Sequence, residues 1–220
     1  MHLVKPPLLL KWLYPTLTWN KSRTERIVYL TFDDGPVPNV TEFVLNTLKS
    51  FHIKATFFCI GDNIQKYPLI FERIKNEDHS VGNHTFNHLN GWKTDTNTYI
   101  QNFLKCQEIS GTPLFRPPYG RITQSQIRHL KALVSPTSAT TPATYHPHPP
   151  SLQIVMWDVL SRDFDTRCSP EQCYQNVIRH TGNGSIIVFH DSLKAFPRLE
   201  YALPRAIEYL LHAGYRFGKL

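Results

Sequence analysis

Apolar residues along this 220-residue chain fall into two kinds of pattern that alternate from end to end. Short continuous apolar runs read as buried strands. They cover Ile27 to Phe32, the run KATFFCIG at 54–61, Ser80 to His84, Leu114 to Arg116, Leu152 to Val159, Ser185 to Phe189 and Tyr215 to Phe217. Between them lie helical periodicities. Val40, Phe43, Val44, Thr47, Leu48 and Phe51 recur at helical spacing behind a capping-box pair, Asn39 and Glu42. Further helices are expected over Leu69 to Asn76, from Tyr99 to near Gly111, and around Ile127, Leu130 and Leu133. Another runs from the cap Ser169-Pro170 to Gly182, and the last covers Leu203 to Leu211. Strand and helix thus alternate about seven times, which predicts an α/β fold with parallel strands and helices outside them. An open doubly wound sheet and a closed barrel both fit this order.

Two segments stand apart. Residues 1–26, rich in Pro and Trp and without a period, are expected to form an arm packed on the domain at 27–220. Residues 135–150, SPTSATTPATYHPHPP, are expected to form a flexible surface insertion. Its His146 and His148 read as solvated loop residues.

Composition narrows the class. At 41% hydrophobic and 19% charged, the chain suits one sizeable globular core. Lys and Arg exceed Asp and Glu by 24 − 17 = 7, but no dense basic run accompanies the excess, so no nucleic-acid partner is expected. The apolar run Pro6 to Leu13 is broken by Lys11 and falls far short of the roughly 20 residues of a membrane span. No small-residue cleavage site marks a signal peptide, so a cytoplasmic location is expected. The four cysteines lack metal-ligand spacing and are expected to be reduced thiols, Cys168 and Cys173 included.

The chemistry-bearing residues cluster just after strands: Asp33-Asp34, His84 and His88, Arg116 to Gly120, Asp158 to Asp163, and His190-Asp191. In a parallel α/β fold these strand ends share one face, where active sites assemble. Adjacent Asp33 and Asp34 repel unless a cation or proton shares their site. His84 and His88, four apart, would share one face of a helical turn. With Asp34 they make two imidazoles and one carboxylate, a set that leaves an open position for water on a divalent ion. Zinc suits such ligands best, with cobalt, manganese, nickel and iron as alternatives. Singly, each cluster has a plainer reading: a solvated Asp-Asp-Gly turn, a surface His pair, a structural ion pair.

In order, TFDDGP, HTFNH, FRPPYG, WDVLSRDFD and VFHDS resemble the five motifs of the polysaccharide deacetylase family, carbohydrate esterase family 4, from about Ile27 to the end. The resemblance implies a distorted (β/α)₇ barrel, one divalent metal and the removal of acetyl groups from acetylated sugars. It implies Asp33 as general base, with Arg116 holding it ionised. Asp34, His84 and His88 become metal ligands, and the Tyr119 backbone N–H an oxyanion donor. His190 becomes the general acid, tuned by Asp163. Pro118, Tyr119, Trp157, Phe164 and Val188 are assigned to the substrate groove. Three positions, in two of the motifs, depart from the family pattern. Leu160 and Phe164 stand where relatives usually carry Asp and Trp, and Val188 replaces a common Leu in the acetyl-methyl pocket. The expected activity is N-deacetylation of an amino sugar, in a peptidoglycan- or chitin-type polymer or a short oligomer, by a monomer. The alternatives are an O-acetyl esterase and an inactive carbohydrate-binding protein on the same scaffold.

Overall fold

The computed structural model describes residues 3–133 and 152–220. The insertion expected at 135–150, with His146 and His148, lies outside the described residues. One parallel sheet forms the frame. Its strands are β1 (Ile27–Asp33), β2 (Thr56–Cys59), β3 (Ser80–Asn83), β4 (Leu114–Phe115), β5 (Gln153–Ile154), β6 (Val159–Leu160), β7 (Ile186–His190) and β8 (Arg216–Gly218). They run in the order β5-β4-β3-β2-β1-β7-β6, and β8 pairs with the first half of β1. The helices are α1 (Leu8–Leu13), α2 (Val40–Ser50), α3 (Gly61–Lys66), α4 (Pro68–Asn76), α5 (Thr96–Ser110), α6 (Gln124–Leu133), α7 (Pro170–His180) and α8 (Phe196–His212).

The architecture is the expected distorted α/β barrel, but the curled sheet does not close by strand pairing between β5 and β6. The arm occupies the gap. The Thr18 N–H donates to the Ile154 carbonyl at 2.9 Å, and the Met156 N–H donates back to Thr18 at 2.7 Å. The Leu160 N–H donates to Val4 at 2.8 Å, and Asn20 bridges to Ser185. The arm therefore satisfies backbone groups that an unclosed sheet would leave unpaired.

The single apolar run Leu152 to Val159 was expected to be one strand, and it forms two, β5 and β6. Trp157 and Asp158 lie between them, and Asp158 turns to the bottom of the barrel. There it takes the Arg23 guanidinium at 2.6 Å and the Ile186 N–H at 2.9 Å. Helix α8 begins seven residues before the expected Leu203, with Pro197 in its first turn and Pro204 accommodated inside it. Helix α3 has a single apolar side chain, Ile64, and the six-residue α1 is apolar at nearly every position, so neither shows a helical period. Phe32, Phe57 and Phe189, on three neighbouring strands, stack at 5.0 and 6.2 Å between centroids beneath α2, α7 and α8. No helix among the described residues is long and apolar enough to cross a membrane.

Candidate active site

Strand register brings the first and last chemical clusters together. Asp33, ending β1, is the register partner of His190, ending β7. The chain then turns sharply, with Asp34 in the left-handed region at φ 84°. Three anchors hold this turn. Ile60 N–H donates to the Gly35 carbonyl at 2.9 Å, and Asn63 Nδ2 donates to the Asp34 carbonyl at 2.7 Å. Gly35 N–H donates to Asp191 Oδ1 at 3.0 Å. A Cβ at Gly35 would come within 2.0 Å of Asp191 Oδ2, so only glycine fits beneath that carboxylate.

Asp33 is 4% exposed and Arg116 fully buried. Arg116 Nη1 donates to Asp33 Oδ1 and to Thr31 Oγ1, both at 2.7 Å. Its Nε and Nη2 donate to the carbonyls of Val155 and Met156, and its guanidinium lies 4.1 Å from the Phe58 ring centroid. Every guanidinium nitrogen thus has an acceptor in a dry setting, which is the condition for a stable buried ion pair.

His84 and His88 do not lie on a helical turn. Strand β3 ends at Asn83, and both Thr85 and His88 take left-handed φ values, 60° and 56°. Asn83 Oδ1 accepts the Thr85 N–H at 2.8 Å and fixes this irregular loop. The rings nevertheless converge, with His88 Nε2 at 3.2 Å and His84 Nε2 at 3.7 Å from Asp34 Oδ1. One ligand atom from each of the three residues lies within 4.8 Å of the others. His84 Nδ1 sits 2.8 Å from the Arg116 carbonyl, an acceptor that demands an N–H there and leaves Nε2 as the free lone pair. Burial pushes His84 from 6.5 down to about 4, so the imidazole is neutral, as a metal ligand must be. Burial alone would raise Asp34. The adjacent His88, with the charges of His190 and His84, instead holds its carboxyl well below the usual carboxylate range. Asp34 Oδ1 is buried and accepts no hydrogen bond, the state of an oxygen that a cation would satisfy. The donor set therefore fits a divalent ion.

Across the cavity, Asp163 binds His190 twice. Its Oδ1 is 2.8 Å from His190 Nδ1, and its Oδ2 accepts the His190 backbone N–H at 2.7 Å. Burial alone would push the imidazole down. The Asp163 charge and hydrogen bond, then the charges of Asp34 and Asp33, reverse this and raise it from 6.5 to about 9. Phe164 meets the His190 ring edge to face at 4.9 Å. Tyr119, with φ 60°, packs its ring 4.6 Å from His88.

A cavity of about 450 Å³ joins these groups. Asp33, Asp34, His84, His88 and His190 line it, as do Tyr119, Trp157, Phe164 and Val188. Arg116 and Asp163 stand behind Asp33 and His190. Pro118 is buried and is not among the lining residues, and Asp158 is remote from the cavity. Three supporting residues escape sequence reasoning: Thr31 and Asn63 anchor Arg116 and the Asp34 turn, and Arg198 Nε donates to the Asp163 carbonyl. Asp191, visible in the sequence beside His190, clamps Gly35. Thr31 did carry a signal, as a hydroxyl inside an otherwise apolar strand run. Arg198 carried none.

Comparison with known proteins agrees with this architecture. Residues 20–134 match the sequence profile described as Polysaccharide deacetylase. Two peptidoglycan-N-acetylglucosamine deacetylases of Bacillus cereus are similar to the chain. One is 36% identical over 75% of this chain and 56% of its own length; the other is 31% identical over 96% and 94%. The chain thus spans little more than half of the first relative and nearly all of the second. The crystal structure of the Bc1960 peptidoglycan N-acetylglucosamine deacetylase, in complex with 4-naphthalen-1-yl-N-oxidanyl-benzamide, superposes with a TM-score of 0.82 at 30% identity. It covers 96% of this chain and 94% of that one. On the profile match, the near full-length relative and the shared barrel, this chain belongs to the polysaccharide deacetylase family.

Proposed function

We infer that the protein is a metal-dependent hydrolase that removes N-acetyl groups from N-acetylated amino sugars of the peptidoglycan or chitin type. The observation that carries this reading is the opposition, across one cavity, of an Arg116-bound Asp33 and an Asp163-bound His190 flanking the Asp34–His84–His88 cluster. Two peptidoglycan-N-acetylglucosamine deacetylases among the relatives supply the substrate class.

Asp34, His84 and His88 would hold one divalent ion, zinc by the mix of imidazole and carboxylate donors. When bound, that ion polarises the acetyl carbonyl and lowers the pKa of water in the site. Asp33 has Oδ1 committed to Arg116, which leaves Oδ2 to take the proton from the attacking water. The Tyr119 N–H is assigned to the developing oxyanion, where a fixed donor acts most strongly. An amine leaves poorly as an anion, so His190 donates its proton to the departing nitrogen, and Asp163 fixes the ring that does so. Val188 and Phe164 give the acetyl methyl an apolar wall.

A cationic His190 favours amide over ester cleavage, because nitrogen departure depends on protonation more than oxygen departure does. Acetate release from N-acetylglucosamine oligomers, but not from acetylated xylan, is the expected result. The reverse preference would make the protein an O-acetyl esterase, and glycan binding without turnover would make it a binding protein. Cell fractionation separates the cytoplasmic location expected from the sequence from the external one that a cell-wall polymer requires.

A further inference from the structure

A second cavity of about 310 Å³ opens beside the catalytic one. The two share Tyr119, Gly120, Arg121, Trp157 and Leu160. The outer wall belongs to the arm, through Pro6, Pro7, Leu10 and Tyr14; Trp92, Ile122 and Met156 face it. Its character differs from that of a sugar subsite. Arg121 is the one charged residue among those lining it, and its guanidinium is stacked 4.8 Å from the Trp92 ring centroid. The indole N–H of Trp92 donates to the Ile122 carbonyl at 3.3 Å, and that of Trp19 to the Tyr14 carbonyl at 3.1 Å. Sugar hydroxyls buried there would lose water for few partners, at a cost no apolar group bears. Leu160, on the wall between the cavities, is apolar where the family resemblance leads one to expect an acid.

We propose that this second cavity is a hydrocarbon-binding subsite, taking the aliphatic chain of an amphiphilic glycoside whose N-acetylated sugar occupies the catalytic cavity. The proposal rests on the deacetylase reading only for the sugar end; the hydrocarbon end rests on the arm and its apolar walls. Continuity through Tyr119, Gly120 and Trp157 lets one molecule span both. At ordinary transfer free energies, the burial of two methylenes is worth about tenfold in affinity.

The test compares octyl and methyl N-acetyl-β-D-glucosaminide on the full-length, metal-reconstituted protein, below the micelle-forming concentration of the octyl compound. Binding is read by calorimetry and acetate release in parallel. The octyl glycoside should bind at least tenfold more tightly. Leu10→Asp, and independently Pro7→Asp, should remove that preference and leave the methyl glycoside unchanged. Helix α1 contributes no buried residue, so neither substitution opens the core. Equal dissociation constants in the wild type, or a preference that survives both substitutions, would overturn the subsite. Tighter octyl binding with no acetate from either compound, nor from N-acetylglucosamine oligomers, would keep the subsite and remove the deacetylase reading. Acetate from both with equal constants would do the opposite.

Discussion

Arg116 Nη1 and Asp33 Oδ1 meet at 2.7 Å where water does not reach, on side chains 83 positions apart in sequence. A charge pair in such a place stands or falls as a unit, because removing one partner leaves the other buried and uncompensated. Arg116→Met should cost about 3–5 kcal/mol of stability, read as a lower urea midpoint. A variant as stable as the wild type would show that Asp33 is better hydrated than its burial implies.

The His190–Asp163 pair sets an expectation for pH. The folded His190 titrates near 9, above the roughly 6.5 of an unfolded histidine. Its stabilising contribution is therefore fully present below about 6.5 and is lost as pH rises through about 9. Its acid role should fade over the same alkaline range, at somewhat lower pH once a bound cation opposes its charge. Asp163→Asn removes the largest favourable influence and should move the alkaline limb of kcat/KM to lower pH, while an Asp165→Asn control should not. An unmoved limb would take His190 out of the acid role.

Metal removal gives a separate handle. The three candidate ligands sit on loops at the barrel mouth, outside the apolar core, so the metal-free chain should remain folded. Readdition of ion at a hundredfold excess over its dissociation constant should raise stability by about 2.7 kcal/mol, visible as a higher melting temperature. His84→Ala should abolish that rise and reduce bound metal from one per chain to none. A full complement of metal in the variant would place the ion elsewhere.

Gly35 tests how strictly the Asp33–Asp34 turn is held. A methyl at this position meets the Asp191 carboxylate at 2.0 Å, and that group is itself fixed by the Thr41 hydroxyl at 2.6 Å. Gly35→Ala should displace the turn and lower kcat by at least about a hundredfold, the scale of a misplaced catalytic group. It should also destabilise by about 1–3 kcal/mol through overpacking. Unchanged kcat would mean that the Asp191 clamp does not position the two carboxylates.

Much of this arrangement is legible along the chain, for identifiable reasons. Parallel strands buried on both faces leave continuous apolar runs, so β1, β2 and β7 stand out as such. Their polar endings, Asp33-Asp34 and His190, mark the face that carries the candidate site. The Leu152–Val159 run does not show its break, because Trp157 is as apolar as its neighbours and only the arm's pairing at Thr18 divides it. The His84–His88 spacing suggests the right partnership through the wrong local geometry. Left-handed Thr85 and His88 bring the rings together where a helical turn was expected. Asp158 looked like a member of the catalytic face until Arg23, from the aperiodic arm, took it to the opposite end. Long-range partners of this kind, Arg198 among them, leave no local trace.

Product mass reports N-deacetylation and the role of Asp33 together. The metal-reconstituted protein is incubated with N-acetylglucosamine oligomers beside an Asp33→Asn variant that binds the same metal. The wild type should lose acetyl-sized mass, and the variant should do so at a rate lower by about 10²–10⁴-fold, the usual worth of a general base. Equal mass loss in the two proteins would contradict the assignment of Asp33. No loss from the wild type, with one metal bound per chain, would contradict N-deacetylation of these sugars.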